Sequence, residues 1–97
     1  MEYLYLPQTG DKESILENLQ KLQLLSNEDL ISDYNKQVDI GVVGVRAQML
    51  LMIALHQTFL KRFRKSPIKI VDNCVFSLSG KISYQAALKS FIKFEPN

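Results

Sequence analysis

Apolar positions repeat with a helical period in three consecutive segments covering the first two thirds of the chain. In the first segment, over residues 12–25, they recur every three or four residues and form one stripe, made of Ile15, Leu16, Leu19 and Leu22. Asp11 precedes the stripe and has the side chain of a helix N-cap. The segment is therefore predicted to be an amphipathic helix capped by Asp11.

The second helical segment begins with a capping signature. In "SNED", residues 26–29, Ser26 is the predicted N-cap and Asp29 follows three residues later. Glu28 and Asp29 then lie in the first turn, where the positive end of the helix dipole favours negative charge. The apolar side of this helix comprises Leu30, Ile31, Tyr34 and Val38. We expect the helix to end between Asp39 and Gly41.

The third helical segment, from about Val42 to Arg64, is the longest. On a helical wheel its apolar side holds Val45, Met49, Met52, Ile53, Phe59, Leu60 and Phe63. Up to Leu55 almost the whole circumference is apolar, interrupted only by Arg46 and Gln48. A helix that is apolar all round must be covered all round. We therefore expect its first half at the centre of the domain or partly in an oligomer interface, and its second half to reach the surface.

Pro67 ends the third helical segment, because proline disfavours the helical conformation for the residue before it. After Pro67 the pattern changes from a helical to an alternating period. Apolar and other residues alternate along 68–84, with turn dipeptides at 72–73 and 79–80. This alternation predicts a short antiparallel meander. Near the N-terminus, "EYLYL" at 2–6 alternates in the same way and predicts a further short strand.

The last segment, 85–94, places Leu88, Phe91 and Ile92 on one helical face and is predicted to be a short C-terminal helix. The order of elements predicts an α+β fold: three N-terminal helices with a long central helix, a small antiparallel β-meander or hairpin, and the short C-terminal helix. The length, 97 residues, fits a single small globular domain over residues 1–97.

Composition indicates the compartment, cofactors and metals that we expect for this protein. Cys74 is the only cysteine, so the chain forms no internal disulfide and no thiolate zinc cluster. The first residues have no basic leader, and the longest apolar run, 49–55, is far below the ~18–20 residues that span a bilayer. We therefore expect a cytoplasmic protein with no cofactor, no metal site and no membrane partner.

Charge is small in total but unevenly distributed. The net charge is +2, yet residues 1–40 hold eight acids and three bases, whereas residues 41–97 hold nine bases and two acids. Five of the bases lie within nine residues that contain no acid, and we call them the basic block: Lys61, Arg62, Arg64, Lys65 and Lys69. The basic block is the predicted site for an anionic group or a partner. Its alternatives are a solvated helix end, which favours positive charge, and pairing with the acidic first helices.

The residues that could support catalysis are few. His56 is the only histidine and falls inside the apolar stripe of the third segment, with no carboxylate three or four residues away. A core or interface imidazole that hydrogen-bonds a backbone carbonyl or a tyrosine is favoured over a general base or metal ligand. Cys74 is predicted to be a small buried hydrophobe, and a Cys–His pair that meets only in space stays open. "GVVG" at 41–44 lacks the spacing of a phosphate-binding loop, and no other catalytic motif occurs. We therefore expect that the protein is not an enzyme.

Three helices followed by a β-hairpin is the order of a winged-helix DNA-binding domain, whose third helix reads the major groove. Here that helix begins with an apolar surface on which only Arg46 and Gln48 could contact bases, which argues against this role. We expect a non-enzymatic protein-binding or regulatory module of bacterial or mobile-element type, acting through a protein partner or by self-association. Nucleic-acid binding through residues 61–69 is the alternative, and a small enzyme centred on His56 is the third hypothesis.

Overall fold

A computed structural model describes residues 2–4, 10–43, 45–71 and 75–93. The helices in these ranges are α1 (Asp11–Gln23), α2 (Asn27–Ile40) and α3 (Arg46–Phe63). The strands are β1 (Glu2–Leu4), β2 (Ile68–Val71), β3 (Val75–Leu78), β4 (Ile82–Gln85) and β5 (Ser90–Lys93). The predicted α+β class is confirmed. The proposed roles of Cys74 and of the turn at 72–73, like residues 5 and 6 of the first predicted strand, lie outside the described residues.

The strands form two antiparallel sheets rather than one meander. The first has the order β1-β3-β2, with Tyr3 and Ile70 on either side of Phe76. The second contains β4 and β5, with Tyr84 opposite Phe91. The predicted hairpin between β2 and β3 therefore forms, whereas β4 leaves that sheet and takes its partner from the C-terminal segment.

The predicted C-terminal helix over 85–94 is wrong. Residues 86–89 form a turn, in which the Leu88 N–H donates to the Gln85 carbonyl at 3.1 Å, and the chain returns as β5. Phe91 and Ile92 are residue types that favour strands, and pairing with β4 buries Phe91. This tertiary pairing outweighs the helical spacing. Leu88, expected on the buried face, is 68% exposed at the turn.

The long central helix is present but begins at Arg46 instead of Val42. Gly41, at φ 82°, ends α2, and one buried amide fixes the connection that follows. The Gln48 Oε1 accepts from the Val43 N–H at 3.0 Å, and its Nε2 donates to the Gly41 carbonyl at 2.8 Å. The same Nε2 donates to the Gln37 Oε1 at 3.1 Å. These bonds hold the connection in a non-helical path.

The first half of α3 lies at the centre of the molecule, as predicted. Its buried side chains join one hydrophobic core with residues of α2 and both sheets: Leu30, Tyr34, Met52, Leu55, Phe59, Ile68, Phe76, Ile82 and Phe91. Val45 and Leu60, both expected on the buried side, are exposed instead. Val45 precedes the helix. Leu60 is exposed although Phe59 lies in the core and Phe63 packs against it. Within one copy of the chain, the described residues bury most of the apolar start of α3.

Polar side chains fix α2 to the start of β4. The Asn35 Nδ2 donates to the Ile82 carbonyl at 2.8 Å, and its Oδ1 accepts from the Ile82 N–H at 3.0 Å. One residue earlier, the Tyr34 hydroxyl donates to the Gly80 carbonyl at 2.7 Å. Burial raises the pKa of Tyr34 to about 12, against the opposing effect of hydrogen bonds with the Ser79 and Gly80 backbone. Tyr34 therefore remains a neutral donor at any physiological pH.

Candidate functional site

Two cations fasten α1 and α3 side by side. At one end Arg46, the first residue of α3, forms an ion pair with the buried carboxylate of Asp11, the first residue of α1. At the other end the Arg62 Nη2 donates to the Leu22 carbonyl at 2.9 Å, in the last turn of α1. The two helices therefore run parallel, with both C-termini at the same end. Gly10, at φ 90°, is the N-cap of α1, so the prediction of Asp11 in that role is wrong.

A cleft of about 600 Å³ lies between these helices, and we call it the α1–α3 groove. Its walls combine aliphatic, amide, hydroxyl and cationic side chains, contributed by Leu19, Gln23, Gln57, Thr58, Lys61 and Arg62. None of these lining residues is acidic. The groove thus offers the aliphatic side chain of Leu19 together with polar and cationic donors, and none of its lining residues is a carboxylate that would neutralise them.

Only part of the polar lining is available to a partner. Arg62 is occupied, because besides Leu22 it reaches the Asn27 Oδ1 through its Nη1 at 3.2 Å. Thr58 donates to the Ala54 carbonyl within its own helix at 2.8 Å. Gln23, Gln57 and Lys61 are exposed and make no side-chain hydrogen bond or ion pair with another described residue. These three side chains are the free polar groups of the groove.

The structure separates the five residues of the basic block. Lys61 and Arg62 line the α1–α3 groove, and the others do not. Lys65 donates from its Nζ to the Phe91 carbonyl at 2.9 Å and lies 4.6 Å from the centroid of the Phe91 ring, which ties the end of α3 to β5. Arg64 is the C-cap of α3 and Lys69 lies in β2, both exposed. Arg62 and Lys65 therefore join elements of the fold, and Lys61 remains as the free cation among the residues that line the groove.

His56 supports the connection from α3 to β2. Its Nδ1 lies 2.9 Å from the Ser66 Oγ, which also accepts the Ile68 N–H at 3.1 Å. Burial lowers the pKa of His56, and a hydrogen bond with the Ile68 backbone partly opposes this effect. The ring does not line the α1–α3 groove. Within the described ranges no three histidine, cysteine or acidic side chains are grouped so as to hold a metal ion.

The start of α3 does not present the surface that a winged-helix protein would use. Gln48 is buried and holds the α2–α3 connection, and Arg46 is paired with Asp11. Both side chains that could have contacted bases are therefore engaged inside the protein. Met49 and Leu50 beside them are buried as well.

Sequence reasoning identified the cations of the groove but missed Leu19, Gln23 and Gln57 as their neighbours. Leu19 was assigned to the core stripe, and nothing in the local pattern distinguishes the two glutamines. The groove arises because α1 packs parallel to a helix that lies more than twenty residues further along the chain. A sequence pattern with a period of three to four residues holds no information about that packing.

None of the helices in the described ranges is both long enough and apolar enough to cross a membrane. The chain matches no protein-family model, no curated protein and no solved structure.

Proposed function

We propose that this protein is a non-enzymatic binding module that recognises an acidic segment of a partner protein in the α1–α3 groove. One observation supports this function above others: Lys61, Gln23 and Gln57 are free beside Leu19 in a groove with no acidic lining residue. Amide and ammonium groups bind carboxylates, and Leu19 provides apolar contact beside them.

The charge of the surrounding structure supports an acidic partner. Residues 45–71 and 75–93 hold nine bases and no acid. Ion pairs within the described ranges engage only two of these bases, Arg46 with Asp11 and Lys81 with Asp39. These bases outnumber the acids of α1 and α2 and leave the chain with a net charge of +2, which favours association with an acidic segment.

The shape and lining of the groove favour a protein over a nucleic acid. Phosphate backbones are bound by several cations together, whereas Lys61 is the free cation among the lining residues. Single-stranded nucleic acids stack their bases on aromatic side chains, and the lining residues include no aromatic one. A peptide that places a leucine next to a glutamate matches the pairing of Leu19 with Lys61.

A titration with a synthetic acidic amphipathic helix, followed by amide NMR shifts, tests the proposed function. We expect the shifts to concentrate at Leu19, Gln23 and Gln57. Lys61→Glu should weaken binding by about tenfold, because it replaces an attraction with a repulsion. Lys69→Glu is the matched control, since it makes the same charge change on β2, outside the groove. Equal weakening by both variants, or shifts confined to another surface, would reject the groove as the site.

Nucleic-acid binding is the second candidate, favoured by the nine bases in residues 45–71 and 75–93. A fluorescence titration with labelled duplex and single-stranded DNA at two salt concentrations examines it. Binding that falls steeply with salt, and that Lys61→Glu and Lys69→Glu weaken alike, would favour this candidate. Absence of salt-sensitive binding would remove it.

A further inference from the structure

We propose that the acidic segment bound at the α1–α3 groove is a partner helix that lies along α1 and has two acids three helical turns apart, one contacting Lys61 and the other contacting Lys12. This proposal rests on the proposed function, because it names the pattern of the partner and a second binding residue beside the same groove. Lys12 is not part of the basic block and belongs to the acid-rich part of the sequence.

One face of α1 extends the groove toward the start of the helix. Leu19 and Gln23 line the groove, and Leu16 and Lys12 precede them at helical spacing. At about 100° per residue, these four positions fall within roughly 60° around the helix axis. Leu16 is 52% exposed, and Lys12 is exposed as well. We call the four residues the groove face of α1.

Lys12 is available to a partner. It makes no ion pair and no side-chain hydrogen bond with another described residue. The carboxylate beside it, Asp11, is buried and already paired with Arg46. A rise of about 1.5 Å per residue places Lys12 roughly 16 Å along the axis from Gln23, which lines the groove together with Lys61. A free cation therefore lies near each end of the groove face.

The exposed acids of α1 lie beside the groove face and not within it. Glu13 and Glu17 are rotated by roughly 90° and 130° from the middle of that face. Glu28, in the first turn of α2, does not line the groove either. No described ion pair joins any of these acids to Lys12 or Lys61. Glu13 and Glu17 repel acids on the flank of a bound helix, so a partner must concentrate its acids on the face that contacts α1.

The partner that fits the groove face is a helix with matching spacing and opposite charge. Eleven residues make about three helical turns, so acids eleven residues apart lie on one face and roughly 16 Å from each other. Leucines four and seven residues after the first acid lie on that face between them. They contact Leu16 and Leu19 while the acids contact the two lysines, which combines apolar burial with complementary charge.

Calorimetric titration of the full chain with two synthetic helical peptides tests the proposal. The first peptide has this pattern, and the second exchanges its first acid with the first leucine, which leaves the acids about two turns apart. We expect the first peptide to bind about threefold more tightly, because only its acids contact both lysines. Amide NMR shifts caused by the first peptide should extend from Gln23 to Leu16 and Lys12.

Variants of the protein test the contact with Lys12 directly. Lys12→Glu should weaken binding of the first peptide by about tenfold, because an attraction becomes a repulsion. Lys21→Glu is the matched control, since it makes the same charge change at an exposed position on the opposite side of α1, and it should change the affinity by less than about twofold. A peptide whose first acid is replaced by lysine should bind Lys12→Glu more tightly than it binds the wild type.

Circular dichroism verifies that both variants remain folded, and the comparison of the two peptides uses the unaltered protein. Equal affinities of the two peptides, or equal effects of Lys12→Glu and Lys21→Glu, overturn the proposal. If Lys61→Glu still weakens binding of the first peptide in that case, the proposed function survives without Lys12. If Lys61→Glu has no effect either, or if neither peptide binds, both fail.

Discussion

The Asn35 side chain forms with β4 the pair of hydrogen bonds that a neighbouring strand would form, because its Nδ2 and its Oδ1 both bond the backbone of Ile82. Asn35→Ala removes both hydrogen bonds, and we expect the free energy of unfolding to fall by about 1–3 kcal/mol. Urea unfolding measures this loss. Asn35→Asp is the matched control, since a carboxylate still accepts from the Ile82 N–H but cannot donate to the Ile82 carbonyl. Hydrogen exchange at the Ile82 amide should be faster in the alanine variant than in the aspartate variant, and equal rates would contradict this role.

His56 makes stability depend on pH in a defined direction. Its pKa is lowered in the folded state from the ordinary value of 6.5, mainly because burial penalises the charged ring. The unfolded chain therefore binds the proton more readily than the folded one. Stability should be insensitive to this group above about pH 7 and should fall as the pH decreases below 6.5, until the folded-state pKa is passed.

The pH dependence of urea midpoints in the wild type and in His56→Gln measures this effect. Because His56 is the only histidine in the chain, the variant should show a flatter profile just below pH 6.5. The same slope in both proteins would show that the imidazole does not contribute.

At the scale of elements, Arg62 joins three helices through one side chain: it belongs to α3, donates to the last turn of α1 and bonds Asn27, the first residue of α2. Arg62→Ala should lower the free energy of unfolding by about 1.5–3 kcal/mol, the usual range for hydrogen bonds from a charged group. Lys61→Ala is the neighbouring control and should change stability by no more than about 0.5 kcal/mol, because Lys61 has no described partner. Thermal or urea unfolding compares the two variants, and similar losses would exclude the joining role of Arg62.

The elements that local signals specify were predicted correctly. The capping signature before α2 is confirmed, since the Ser26 Oγ accepts from the Asp29 N–H at 3.1 Å. The continuous apolar surface at the start of α3 correctly indicated a central buried helix. Both features depend on neighbouring residues, and that is why a sequence pattern is enough to recognise them.

The elements that depend on partners distant in the sequence were not predicted correctly. The C-terminal segment became β5 because β4 was available to pair with it, and the spacing of Leu88 and Phe91 could not reveal this. The boundary of α3 moved to Arg46 because the Gln48 amide bonds the preceding connection. A polar side chain within an apolar run was visible in the sequence, but its three partners were not.

At the scale of the whole molecule, the basic block was found in the sequence and the groove was not. The uneven distribution of charge along the chain indicated a positive surface, and the fold divides its cations between structural bonds and solvent. Which cations remain free is decided by the packing of α1 and β5 against α3. Lys61 could thus be proposed as a binding residue from its charge. That Arg62 and Lys65 have structural bonds while Lys61 does not depends on packing that the sequence does not show.

The pairing of β1 with β3 has a consequence for how the molecule is made. Glu2–Leu4 is synthesised before its partner residues Val75–Ser77, which follow some seventy residues later. The three-stranded sheet cannot close until β3 has emerged, and until then the helices between the two strands keep part of their apolar surface uncovered. A pulse of protease during synthesis should therefore cleave the growing chain until β3 has been released from the ribosome.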